Sequence, residues 1–137
     1  MKVIPSLTVL AAVCMLASCS SKKGPSELLE QANVVHLEAV GVYEEAHELF
    51  GKLKAEAEAQ KDSLSIASLD SIHDVLHHWK DGLYEVPGFE HAHDHSDGHD
   101  HSHKPAPNMT DQSMLDYQKN AKQAIEEVLN FLQSKSQ

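Results

Sequence analysis

The chain contains no arginine. Its 11 basic residues are all lysines, set against 21 acids, for a formal charge of −10. They form no basic patch, so nucleic acid is not an expected partner. Aromatic residues make up only 5% of the chain, so any core must be aliphatic and rich in alanine. No β-strand signal appears, and neither does a nucleophile–base motif, a phosphate loop or a nucleotide fingerprint. Glu44-Glu45 and Glu126-Glu127 are sequence neighbours on different helix faces, which suits solvated side chains better than an acid–base pair. Glu44 and His47 supply one Glu-x-x-His spacing, but the second copy that a di-iron bundle needs is missing. No enzyme is expected.

Histidine is abundant instead. Six of the 11 fall in residues 88–104, as two His-x-His-x-His triplets: His91, His93 and His95, then His99, His101 and His103. The triplets repeat with a period of eight, and Asp94, Asp97 and Asp100 add oxygen donors. Neutral imidazole is the commonest metal ligand, and His-rich tracts are compositional metal signals. Alternate side chains of an extended strand lie roughly 6.5–7 Å apart, too far to share one ion unless the chain curls. Ser96, Gly98 and Ser102 leave it free to curl. Such a set can reach the tetrahedron zinc prefers, but it fixes no ligand in place and supplies no ordered second shell. The stretch therefore reads as binding, buffering or handing over metal, zinc first, with nickel and copper also accepted. It resembles the His-rich loops of zinc transporters and of zinc-binding solute receptors.

Residues 1–18 read as a signal peptide. Lys2 opens it, and the apolar run Val3–Leu16 is short for a membrane span and right for a signal core. Leu16-Ala17-Ser18-Cys19 resembles a bacterial lipobox. That resemblance implies that the Cys19 thiol is lipidated and becomes the first residue of the mature chain. Cys14 is then lost and Cys19 consumed, so neither a disulfide nor a thiolate metal site remains. Several acyl chains give stable membrane attachment. Ser20, rather than Asp, follows the cysteine, which favours the outer membrane and a periplasm-facing protein. Residues 19–25 form the tether.

The remainder, 26–135, reads as three amphipathic helices. Ser26 suits an N-cap, with Glu27 and Glu30 in the first turn. Leu28, Ala32, Val35, Ala39, Val42, Ala46, Leu49 and Leu53 recur at steps of four and three, a heptad seam for a helix over 26–60. Gly41 and Gly51 mark either close helix contacts or a break. Lys61-Asp62 is the turn, with Asp62 or Ser63 capping a second helix over 63–85. Its apolar positions are Leu69, Ile72, Leu76, Trp79 and Leu83. Pro87-Gly88 forbids further helix. A loop over 86–108 carries the histidines. Thr110 caps the third helix, with Met109 and Met114 as a hydrophobic staple. Its seam is Met114, Tyr117, Ala121, Ile125, Val128 and Leu132, and it ends near Lys135. The expected fold is all-α: an antiparallel three-helix bundle, up-down-up, with a long His-rich loop between helices 2 and 3. Helix 1 is the longest, so its first turns should overhang, with the loop at the membrane-proximal end. The pattern of lipobox, long first helix, Trp79 late in the second helix, loop and Tyr117 in the last helix resembles a group of small helical lipoproteins of bacterial envelopes. That group has no established activity, so the resemblance implies fold and location only.

Hairpin register places His47 beside Leu76 and His77, so His47, His73 and His77 form a candidate second metal site, with Glu44 or Asp74. The plainer alternative is polar histidines beside the seam. His36 falls opposite Pro87, near the root of the loop. Three functional expectations follow. The first is a lipid-anchored envelope protein that binds divalent metal for buffering or for delivery to a membrane transporter. The second is an adaptor whose seam and acidic faces hold another envelope protein, the His loop being incidental. The third is a pH sensor: residues 88–104 carry four acids and one lysine, −3 with neutral histidines and +3 with all six protonated.

Overall fold

The computed structural model describes residues 24–89 and 104–136. Three α-helices lie among them: α1 Glu27–Gln60, α2 Ser63–Gly82 and α3 Asp111–Lys135. The described residues hold no strand beyond an isolated bridge between Tyr84 and Lys104. No helix among them is long and apolar enough to cross a membrane.

Each helix starts where the sequence supplies an oxygen for the orphan amides of the first turn. Ser26 accepts from the Leu29 amide, Asp62 from Leu64 and Ser65, and Thr110 from Ser113. At the end of α1, Lys61 adopts φ 56°, a left-handed conformation. The Lys61 amide bonds Glu58 O and the Asp62 amide bonds Ala57 O, which closes the turn as a Schellman motif. Three bonds from Ser65 and Leu64 to the Asp62 carboxylate, that from the Ser65 hydroxyl foremost, hold it below the usual aspartate range.

Cross-helix pairs fix the directions. Tyr43 stacks on Trp79 and Phe50 on His73, while Lys54 pairs with Asp70. Numbers rise on α1 as they fall on α2, so the two are antiparallel. Ser26 bonds Asp111, His36 bonds Gln118 and Glu38 bonds Lys122, so α1 and α3 run parallel. The bundle is uneven: α1 packs mainly along α3, and α2 and α3 touch little. Ala32, Ala39 and Ala46, all fully buried at a spacing of seven, let the α1 and α3 backbones approach. Leu76, Ile125 and Leu132 fill the main core, each contributing about 1.5–3 kcal/mol by burial.

Two expectations are corrected. Helix α2 ends at Gly82, short of residue 85. Glycine weakens the last turn, and Pro87 pushes Val86 out of helical geometry. Side chains of α3 then take the freed carbonyls: the Tyr117 hydroxyl donates to Gly82 O at 2.6 Å and Gln118 Nε2 to Tyr84 O at 2.8 Å. The first turns of α1 do not overhang bare. The N-terminus of α3 lies level with Ser26, and Leu83, Val86 and Phe89 continue beside α1. A second core cluster of Ala32, Val86, Met114 and Leu115 forms there, with Met109 packed against it beside Met114. Gly41 and Gly51 mark neither contact nor break. Both sit in unbroken helix, and a Cβ at either would meet nothing within 4 Å.

Candidate functional site

Cys19 and the loop histidines His91, His93, His95, His99, His101 and His103 lie outside the described residues, as do Asp94, Asp97 and Asp100. The described structure gives the two segments, 83–89 and 104–110, that flank this stretch in sequence. After α2 the chain runs extended and pairs with Lys104, the Glu85 amide bonding Lys104 O at 3.2 Å. Val86–Phe89 then forms a turn: the Phe89 amide bonds Val86 O at 3.1 Å, and Gly88 takes φ 84°. Proline second and a positive-φ glycine third define a type II turn. A Cβ on Gly88 would lie 3.2 Å from Pro25 Cγ. The turn at Gly88 therefore sits against Pro25, the residue before the α1 N-cap.

Behind the root lies a buried polar pair. His36 is 1% exposed and Gln118 is fully buried. His36 Nδ1 lies 3.3 Å from Gln118 Oε1. The Gln118 amide nitrogen donates to Tyr84 O at 2.8 Å, so its oxygen is the end that faces the imidazole. An amide oxygen only accepts, so His36 carries a proton on Nδ1. The His36 ring is thus tied through Gln118 to Tyr84, the residue that bridges to Lys104. Hairpin register alone places His36 near this end, but Gln118 emerges only with the structure. Its signal lies in the spacing: 114, 118, 121, 125, 128 and 132 step by four and three without a fault, so Gln118, rather than Tyr117, occupies the seam position.

The other histidines are exposed on the α1–α2 face. Rings run along it in contact, Trp79 on Tyr43, Tyr43 on His47, then Phe50, His73 and His77. His47 and His73 do not meet, because the Phe50 ring stands between them, 6.5 Å from one and 5.6 Å from the other. His73 and His77 are direct neighbours at 6.5 Å. Among the described residues no three His, Cys, Asp or Glu side chains are grouped to hold one ion, so the His47/His73/His77 triad is not assembled here. The same register that placed His47 near His77 puts Phe50 opposite His73. Burial, and secondarily the charge of Asp81, raises the Tyr43 phenol above its ordinary pKa. Burial also raises that of Tyr117.

No protein-family model, curated protein or solved structure matches this chain.

Proposed function

We propose that this is a lipid-anchored protein of the bacterial envelope that binds divalent transition metal, zinc first, through His91, His93, His95, His99, His101 and His103. It buffers the ion or presents it to a membrane transporter. The observation that carries this reading is the duplicated His-x-His-x-His triplet, six imidazoles within thirteen residues and interleaved with aspartates. The framework supports it in two ways. Tyr84 and Lys104 are paired, so the stretch between them starts and ends at one place on the bundle. Gly88 abuts Pro25, so that place is the end of α1 nearest the tether and Cys19. Nickel and copper would also bind, since imidazole sites follow availability and the Irving–Williams order.

A second reading rests on a different observation. Val34 and Leu37, on one face of α1, are 56% and 50% exposed. They favour an adaptor that docks another envelope protein on α1, with an incidental or pH-sensing loop.

Calorimetric titration of zinc into the mature chain, beside a variant with all six loop histidines changed to Ser, separates the two. Metal binding predicts more than one zinc per chain, most of it lost in the variant, with affinity falling as pH drops through about 6.5, the ordinary histidine value. A native chain that binds no zinc at micromolar concentration leaves the adaptor reading. Anchoring is tested by Cys19→Ala, which should abolish lipid mass and membrane partition.

A further inference from the structure

The α2 face that fails to assemble a three-histidine site carries a smaller one. His73, His77 and Asp81 follow each other at steps of four along the exposed side of α2. Residues at this spacing are surface neighbours, with Cβ atoms about 5–6 Å apart. His77 Nδ1 lies 2.9 Å from Asp81 Oδ2, with the His77 side chain 64% and the Asp81 side chain 54% exposed. A carboxylate that accepts from Nδ1 keeps the proton there and leaves the Nε2 lone pair to face outward. This is the support that metal-ligating histidines ordinarily receive from a neighbouring carboxylate. His73 lies one turn earlier, its ring flanked on one side by Phe50.

We infer that His73 and His77 are a two-imidazole chelate for one borderline divalent ion, copper, nickel or zinc, with Asp81 as the positioning residue that sets the His77 tautomer. Two imidazoles on one such ion, at metal–nitrogen distances near 2.0–2.1 Å, have ring centroids roughly 5 Å apart. The rings here stand 6.5 Å apart, so side-chain rotation closes the gap without moving the helix. His47 is excluded by Phe50. Water or a donor from another protein completes the coordination, so the site holds its ion loosely and exchanges it. It lies within the last three turns of α2, His77 roughly 7.5 Å along the helix axis from Gly82, where the helix ends. It is independent of that stretch.

The test uses the full mature chain with the six loop histidines changed to Ser, titrated with copper and with nickel and read by calorimetry. Copper spectra count the bound nitrogens. One ion per chain with two imidazole nitrogens is expected. In that background His73→Gln or His77→Gln should abolish the two-nitrogen signal and weaken binding at least tenfold. Asp81→Asn should weaken it roughly 10–100-fold, the usual effect of losing such a partner. His47→Gln should leave it unchanged. Failure of the six-Ser chain to bind either ion overturns the inference, as does unchanged binding in His77→Gln. The loop reading fails separately, if the native chain binds no more ions than the six-Ser chain.

Discussion

Replacing Gln118 with Leu tests the buried polar pair behind the loop root. The side chains are close in volume, so the substitution opens little cavity. It removes two strong hydrogen bonds and a weak one to sulfur: His36 Nδ1–H loses its acceptor, Tyr84 O loses its donor, and Met114 Sδ loses a contact at 3.5 Å. A buried polar group stripped of its partner costs about 1–3 kcal/mol. His36 is 1% exposed and belongs near the top of that range. Tyr84 is only half-buried and belongs near the bottom, since water can replace part of its bond. The expected loss is about 2–4 kcal/mol, against a total stability for such domains of about 5–15 kcal/mol. Urea denaturation followed by helical circular dichroism reads it as a lower midpoint at unchanged slope. Adding His36→Leu removes the stranded donor as well. Apolar replacement of both partners is often near neutral, so the double variant should recover part of the loss. Amide exchange gives a local readout: the Glu85 amide, which bonds Lys104 O, should exchange faster in Gln118→Leu. A loss under about 0.5 kcal/mol, or a double variant weaker than both singles combined, would refute the account.

The glycines should respond in opposite directions. Gly41→Ala and Gly51→Ala meet open space in regular helix and should each stabilise by about 0.5–1 kcal/mol. Gly88→Ala must hold φ 84° with Pro25 3.2 Å from the new Cβ and should destabilise by about 1–2 kcal/mol; a rise in urea midpoint for Gly88→Ala would show that the turn is not held as described. Alkaline stability follows from the tyrosines. Tyr43 and Tyr117 have raised pKa values in the native state, first through burial. Unfolded tyrosines lose their protons near pH 10. Above that value the native state holds more protons than the unfolded one, so stability should fall as pH climbs further. Urea midpoints between pH 9 and pH 11.5 check this, and a constant or rising midpoint contradicts it.

Much of the fold was readable from side-chain spacing and caps. The heptad seam and Ser26 placed α1, Asp62 placed the hairpin, and Thr110 with the two methionines placed α3, each to within a residue of the observed bounds. These features are local, so sequence distance suffices to read them. The errors share a cause that is not local. The end of α2 depends on Tyr117 and Gln118, more than thirty residues later, accepting the role of its capping partners. The first turns of α1 are covered by segments whose position follows from α3 lying level with α1. On the α1–α2 face, register alone fixes which turns face each other but not the side chains between them: the ring of Phe50 contacts both His47 and His73.

Gln118 also answers a question that the seam itself raises. Alanines at 32, 39 and 46 repeat every seven residues, so a slide of α3 by one heptad would set alanine again where alanine stood. Apolar burial alone distinguishes such registers poorly, because a uniform seam packs similarly in each. A polar residue at a seam position distinguishes them well, since it is satisfied in one register and stranded in the others. A one-heptad slide would turn Gln118 from His36 to Tyr43 in one direction and to Leu29 in the other. It would leave behind both the imidazole and Tyr84 O, and it would also separate Glu38 from Lys122, now 2.7 Å apart. The exposed ion pair adds little on its own. The buried pair carries a penalty of several kcal/mol for the wrong register, the same free energy that Gln118→Leu forfeits. Since Gln118 holds Tyr84, and Tyr84 pairs with Lys104, fixing α3 against α1 also fixes the two segments that flank the His-rich stretch in sequence.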